Sequence, residues 1–174
     1  NTYDRVSVEA DGDIWEPLFI FVNPVETEML AEAKSNPQTR VFEAGKIYKA
    51  SRMNFKGDFK NLYIQGGAIV EGDFYHRDDN QPPVKGGYVR GCGILDGRKK
   101  KGEINVFNIF HADGLVVEHL TFLNRKHWSF RLNLCNNVTV DNVKVVAHCP
   151  FNDNWDENDA FHLTGCRNCT LTRL

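Results

Sequence analysis

The stretches YIQGGAIVEG (residues 63–72) and YVRGCGILDG (residues 88–97) are two copies of one pattern. When the first is shifted onto the second, their tyrosines, two of their glycines and an isoleucine coincide. Self-similarity at such a spacing is typical of repeat architectures, in which each unit buries its apolar face against the next. The chain is therefore expected to be a stack of similar units.

Three further copies extend the pattern toward the end of the sequence. WSFRLNLCNNVTV (residues 128–140) aligns with DAFHLTGCRNCTL (residues 159–171), and residues 105–122 align with the first of these. The alignment predicts one equivalent position in each unit, at uneven spacings along the chain: Leu62, Gly87, Leu115, Val138 and Cys169.

Each unit contains short alternating segments, such as residues 138–140 and 143–145, which are separated by Asn, Asp or Gly. This is the pattern of short β-strands punctuated by turns. Leucine-rich repeats have a similar period, but their signature is absent here and their spacing is more even. The sequence predicts an all-β solenoid of about five coils.

Successive coils of such a solenoid stack at about 4.8 Å, so that equivalent side chains form columns through the core. The alignment places Phe107, Phe130 and Phe161 in one column. It places Cys135 above or below Cys166 in another. A stacked pair of cysteines can reach disulfide geometry, but we expect these two to remain reduced in an apolar column.

The first fifty residues do not repeat. Residues 4–24 indicate two strands around a hairpin turn at Asp11 and Gly12, with Pro24 ending the second strand. A weak helical stripe follows in residues 26–34. We divide the chain into an N-terminal β segment with its linker, residues 1–40, and a parallel β-helix, residues 41–174. The first part is interpreted as the tail of a β-sandwich or as an edge cover.

The composition argues against several kinds of partner. A formal net charge of -2 over 174 residues predicts no binding to nucleic acid, and no apolar run approaches the roughly 20 residues that span a bilayer. The five cysteines include one C-x-x-C, Cys166 and Cys169, without the second ligand pair that a zinc site requires. No metal and no cofactor is predicted. The first residue is Asn1 rather than Met, which fits a mature secreted form.

Together, four segments resemble the polygalacturonase family of glycoside hydrolases, family twenty-eight, and its clan relatives, the dextranases and isopullulanases. The segments are GGAIVEG, YVRGCGILDG, HWSFRLNLCNNVTVDNVKVVA and NDAFHLTGCRNCTL. The resemblance implies a right-handed, single-stranded parallel β-helix that hydrolyses a polysaccharide or oligosaccharide with inversion. It implies a pectin-type or α-glucan-type substrate and an extracellular or periplasmic protein.

The resemblance also implies one catalytic residue. The family carries a catalytic aspartate in an Asn-Thr-Asp-Gly-Ile-Asp segment, and Asp159 takes its place here. The chain departs from the family with Asn158 for Thr, Ala160 for Gly and His162 for the second Asp. We expect Asn158 and His162 to contact sugar.

Two further catalytic aspartates of the family lie one coil later, and this chain ends at Leu174. We therefore expect the sequence to be an incomplete, inactive portion of an enzyme. A solenoid that stops there leaves its last strands unpaired, so we expect self-association or a second chain at that end.

Four other residues are candidate sugar contacts: Asp156, Trp155, His127 and Arg131. Asp156 belongs to an acidic cluster, residues 153–159, that suits sugar contacts, calcium ligands or solvated loop charges. Trp155 fits a sugar platform or simple packing, and the other two fit an anionic sugar or an ordinary exposed strand face. Strict alternation places Asp159 on the opposite side from His162, so a bend must intervene if both face one cleft.

Two other functions stay open. A calcium-dependent polysaccharide lyase on the same fold would use Asp153, Asp156 and Asp159 as metal ligands. A non-catalytic solenoid would only bind glycan through the acidic loop.

Overall fold

A computed structural model of the chain describes residues 5–13, 17–55, 59–77, 83–98, 105–124, 127–147 and 159–174. Its elements, in chain order, are β1 (Arg5–Val8), β2 (Leu18–Phe21), α1 (Thr27–Ser35), β3 (Thr39–Phe42), β4 (Ile47–Lys49), β5 (Asn61–Ile64), β6 (Ile69–Glu71), β7 (Phe74–His76), β8 (Val84–Lys85), β9 (Tyr88–Arg90), β10 (Ile94–Asp96), β11 (Phe107–Phe110), β12 (Ala112–Asp113), β13 (Val116–Glu118), β14 (Thr121–Asn124), β15 (Phe130–Asn133), β16 (Thr139–Asp141), β17 (Lys144–Ala147), β18 (Phe161–Thr164) and β19 (Thr170–Thr172).

Three parallel sheets form the walls of a β-solenoid, which confirms the predicted all-β fold. Sheet I has the order β3-β5-β9-β13-β16-β19, sheet II the order β4-β6-β10-β14-β17, and sheet III the order β7-β11-β15-β18. A short pair, β8 with β12, runs beside them. Each coil contributes one strand to each wall in turn, so neighbours in a sheet come from successive repeats.

The phenylalanine column predicted for the core is confirmed. Phe107 pairs in register with Phe130, and Phe130 with Phe161. The ring centroids of the first pair are 4.8 Å apart and nearly parallel, and those of the second pair are 5.4 Å apart. Phe74 continues the column below Phe107 at 5.0 Å. Phe107 and Phe130 are fully buried, so this column is part of the apolar interior that holds the coils together.

The cysteine column is also present. The register of β15 with β18, and the bridge between Asn136 and Arg167, set Cys135 opposite Cys166. Both are free thiols in the structure. Burial raises the pKa of the Cys135 thiol to about 11.

One predicted register is wrong. Leu62 lies opposite Val89 and not opposite Gly87, because β5 pairs with β9 through Asn61 and Tyr88. The alignment of the two opening stretches is correct for the next wall, where Ile69 pairs with Ile94. The segment between the paired positions Tyr63 and Ile69 therefore holds two more residues than the segment between their partners Arg90 and Ile94. A shift of two residues keeps every side chain on the same face, which is why the apolar pattern did not reveal it.

The glycines shared by the two opening stretches lie at tight corners. A Cβ on Gly97 would approach the Val106 side chain to 2.6 Å, and one on Gly72 would collide with the Ala50 carbonyl oxygen of the previous coil. The corners need glycine because neighbouring coils meet there at close range.

The N-terminal hairpin has the predicted pair of strands and turn, but β2 ends at Phe21, before Pro24. β1 and β2 pair antiparallel, and Asp11 and Gly12 occupy left-handed conformations, with φ of 54° and 74°. The Asp13 N–H donates to the Ala10 carbonyl at 2.9 Å across this turn, which is the geometry that Asp-Gly favours. The expected helix is α1. Among the described residues no helix is long and apolar enough to cross a membrane.

Glu26 fastens this N-terminal segment to the solenoid. Its carboxylate accepts hydrogen bonds from the Tyr63 hydroxyl at 2.9 Å, the Gly66 N–H at 2.7 Å and the Cys92 N–H at 2.8 Å. Three donors on one carboxylate make a strong local attachment, because bonds to charged groups are stronger than neutral ones.

Candidate functional site

The outward face of β15 and β18, with the residues just before each strand, brings together four candidate residues: Asp159, His162, His127 and Arg131. The Asp159 carbonyl accepts a hydrogen bond from the Ser129 N–H at 2.9 Å, which holds Asp159 beside Trp128 in the neighbouring coil. The Asp159 side chain is 58% exposed. An exposed carboxylate on a fixed backbone is available to a ligand in solution.

Asp159 and His162 lie on the same side of the chain. His162 Nδ1 is 3.8 Å from Asp159 Oδ2, although the two residues are three apart in a strand region. The chain bends at Ala160, immediately before β18 begins. The bend interrupts the alternation of the strand, as required if both side chains are to face one cleft. The imidazole and the carboxylate therefore face the same part of the surface.

An aromatic stack positions His162. Its ring lies 3.9 Å from the Trp128 ring, centroid to centroid, with 6° between the planes. His127 stacks on Trp128 at 4.8 Å and 13°, from a left-handed backbone position with φ of 64°. The faces of Trp128 are thus engaged within the protein. Trp128 orients neighbouring side chains and is not an open platform for a sugar ring.

Arg131 joins this cluster from β15. It pairs in register with His162 on one side and with Asn108 on the other. Its guanidinium carbon is 4.7 Å from the Trp128 ring centroid. Its Nε donates to Asn133 Oδ1 at 3.0 Å, and the Asn133 amide donates in turn to Asn108 Oδ1 at 3.2 Å. Stacking and hydrogen bonding together hold the guanidinium plane in a defined orientation.

Sequence reasoning missed the role of Phe110 on this face. The guanidinium carbon of Arg77 lies 5.4 Å from the centroid of its ring, and that of Arg131 lies 5.9 Å from the same centroid. Two cationic groups from different coils therefore approach one aromatic ring. The repeat alignment makes Asn108 equivalent to Arg131 and Phe110 equivalent to Asn133, so it already placed Phe110 on the strand next to Arg131.

Three predicted sugar contacts, Trp155, Asp156 and Asn158, lie outside the described residues. The acidic residues Asp153 and Glu157 do so as well. Among the residues that the structure describes, no group of three or more His, Cys, Asp or Glu side chains is arranged to hold a metal ion.

A pair of carboxylates lies on sheet I, where Glu118 is the in-register neighbour of Asp141. Burial raises the pKa of Glu118, and the hydrogen bond from Arg173 lowers the pKa of Asp141. Carboxylates with pKa values moved apart can divide acid and base roles. Here, however, Asp141 already accepts bonds from Thr172 Oγ1 at 2.8 Å and Arg173 Nε at 2.7 Å. The Asp141 carboxylate is therefore already engaged in an ion pair with Arg173, and we interpret this pair of residues as structural.

No protein-family model matches the sequence, and no curated protein matches it. The fold is similar to the crystal structure of a protein from Parabacteroides merdae that is provisionally named a glycosyl hydrolase. The TM-score is 0.52 at 16% sequence identity, and the alignment covers 83% of this chain and 82% of that one. A likeness at this identity shows the β-solenoid fold, and function has to be argued from the site.

Proposed function

We propose that the chain belongs to a glycoside hydrolase that cleaves a polysaccharide with inversion, and that Asp159 is the carboxylate that activates water. The observation that carries the proposal is the exposed Asp159 carboxylate, held 3.8 Å from His162 on a face that also presents Arg131. The proposal places the protein outside the cytoplasm, where polymeric glycans are available.

In this reaction Asp159 accepts a proton from a water molecule as the water oxygen attacks the anomeric carbon. A second carboxyl group protonates the departing glycosidic oxygen. The two groups of an inverting enzyme are about 6.5–9.5 Å apart, which leaves room for the water between them. The family resemblance assigns the second group to an Asp-Asp pair one coil further along the polypeptide. One carboxyl group cannot serve as base and acid in the same step.

His162 is a positioning residue in this scheme. Its contact with Asp159 restrains the carboxylate, and the stack on Trp128 restrains the imidazole. A correctly oriented base contributes to rate because the reacting atoms need not be brought into line in the transition state.

Within the two predicted substrate types, the arginines favour an anionic, pectin-type polymer over a neutral α-glucan. Arg131 and Arg77 both approach the Phe110 ring, so two positive charges share one stretch of the outer surface. A guanidinium can bind a carboxylate through two parallel hydrogen bonds, which a neutral sugar cannot offer. A sugar carboxylate would also relieve the repulsion between the two cations.

The full-length polypeptide tests the assignment of Asp159. Reducing-end release from polygalacturonate should fall by about 10²–10⁴ in Asp159→Asn, which is the usual contribution of a general base. Asp11→Asn, an exposed turn residue far along the chain, serves as the matched control and should retain full activity. Retention of activity in Asp159→Asn would contradict the proposal, and products that absorb in the ultraviolet would indicate a lyase.

A glycan-binding function without catalysis is the second candidate, because Arg131 and Arg77 could hold an acidic polymer without any catalytic acid. Binding of polygalacturonate to the full-length protein, with no release of reducing ends, would favour it. In either case Arg131→Ala should weaken binding of polygalacturonate and leave that of neutral dextran unchanged.

A further inference from the structure

A pocket of about 490 Å³ opens beside the first coils, separate from the face that carries Asp159. Its volume lies in the range of sites for small molecules. Its described lining is mostly apolar and includes Phe55, Phe59 and Val84. Val84 is 8% exposed and Phe59 is 42% exposed, so the pocket runs from the surface down to the core.

Aromatic packing shapes the inner wall. The Phe55 ring meets Phe74 of the core column edge to face, with centroids 5.0 Å apart. Phe55 also lies 6.0 Å from His76, which lines the pocket and is 2% exposed. This wall is anchored in the solenoid, and a ligand would meet a preformed surface.

Two lysines, Lys60 and Lys85, line the same pocket and are exposed. The chain folds back through Gly86 and Gly87, with φ of 67° and 82°, directly after Lys85. This turn brings Gly87 against the Lys60 carbonyl, where a Cβ would not fit. Two cations from different coils are therefore brought to one pocket by the backbone.

Neither lysine forms an ion pair with a carboxylate in the part of the chain that the structure describes. The in-register neighbour of Lys85 is Asp113, whose carboxylate accepts a hydrogen bond from Asn137 at 2.7 Å. An apolar recess lined by two exposed lysines is complementary to a ligand that is apolar at one end and anionic at the other.

We propose that this pocket binds a small amphipathic anion, an aromatic or otherwise apolar body carrying one carboxylate or sulfonate group. The apolar body lies against Phe55, Phe59 and Val84, and the anionic group faces Lys60 and Lys85. This site does not depend on the proposed hydrolytic function.

The 174-residue chain can be titrated with 8-anilinonaphthalene-1-sulfonate, followed by dye fluorescence, and in parallel with the neutral dye N-phenyl-1-naphthylamine. We expect saturable binding of the anionic dye at one site. The double variant Lys60→Ala/Lys85→Ala should lower the affinity for the anionic dye about fivefold to tenfold, the effect of removing two exposed charge pairs. Binding of the neutral dye should not change in that variant.

Three single variants complete the test. Phe59→Ala removes part of the apolar wall and should weaken the binding of both dyes. Lys49→Ala, at an exposed position on β4, should leave the binding of both dyes unchanged. Circular dichroism verifies that each variant is folded. The proposal is overturned if the lysine double variant binds the anionic dye as tightly as the parent. It is also overturned if Leu18→Ser, in the exposed apolar hairpin, abolishes the signal instead.

Discussion

The ammonium group of Lys144 is buried where the N-terminal segment meets the solenoid. It donates hydrogen bonds to Asn23 Oδ1 at 2.7 Å, to the His119 carbonyl at 2.6 Å and to the Asn142 carbonyl at 3.0 Å. The side chain is 3% exposed, and burial lowers the pKa of Lys144 from near 10.5 to about 8. Hydrogen bonds satisfy the three donors, but loss of hydration still disfavours the charged form.

This shift predicts a particular pH dependence of stability. Below pH 8 the native state carries the buried charge and its full desolvation cost. Between pH 8 and 10.5 the native state releases the proton before the unfolded chain does, so the contribution of Lys144 to the free energy of unfolding rises with pH. The change across this window is on the order of 3 kcal/mol.

Chemical denaturation of the parent and Lys144→Met at pH 7, 8, 9 and 10 measures this contribution. The free energy of unfolding of the parent should rise with pH relative to that of Lys144→Met. A comparison is needed because burial raises the pKa of the Cys92 thiol to about 12, and that group lowers stability as pH rises. In Lys49→Met, at an exposed position, the free energy of unfolding should change with pH as it does in the parent. A difference that stays constant from pH 7 to 10 would contradict the assignment.

At the scale of elements, the columns between strands determine which side chains support which coil. Phe130 of β15 has neighbours on three sides: Phe107 at 4.8 Å, Phe122 at 5.9 Å and Phe161 at 5.4 Å. Phe161 of β18 is only partly buried. The same residue type therefore occupies a central and a terminal position of one column.

We expect Phe130→Ala to lower the free energy of unfolding by about 3–5 kcal/mol, since a fully buried phenylalanine leaves a cavity. Phe161→Ala should cost about 1–2 kcal/mol, the range of an ordinary partly buried substitution. Urea denaturation monitored by circular dichroism gives both values. Equal losses of unfolding free energy in the two variants would mean that the phenylalanine column does not unfold as one cooperative unit with this wall.

The register error at Leu62 concerns how two strands pair. Strand type, the offsets between the later coils and the phenylalanine column could be predicted because each follows from a local apolar alternation repeated along the chain. The two extra residues between Tyr63 and Ile69 could not be predicted, since a shift of two preserves the alternation. Corner length depends on how closely the coils approach at glycines such as Gly91, where a Cβ would collide with the Ile64 carbonyl oxygen.

At the scale of the whole molecule, β17, β18 and β19 end their sheets, and each pairs with a described strand on one side only. Leu163 and Leu174 are 39% and 42% exposed near this end. Unpaired strand edges with apolar side chains are templates for pairing with another chain. We propose that the 174-residue polypeptide associates through this surface.

Sedimentation velocity over a hundredfold concentration range tests the proposal. The average mass should rise with concentration, and Leu163→Lys should reduce the association because it places a charge at the edge. Leu18→Lys, in the exposed hairpin at the other part of the chain, should not reduce it. A monomer throughout the range, or a response to the hairpin variant alone, would exclude this end as the contact.

The stacking of coils could be predicted from the amino-acid sequence, because the offset between repeats specifies which side chains are neighbours along the solenoid. The same offset predicted that Asp159, Trp128 and Arg131 lie on one wall. Three contacts were found only in the folded chain: His162 with Asp159, the closed stack on Trp128, and Lys144 with Asn23. These contacts depend on a bend, on side-chain rotamers and on a segment far away along the chain, and none of the three leaves a periodic trace in the sequence.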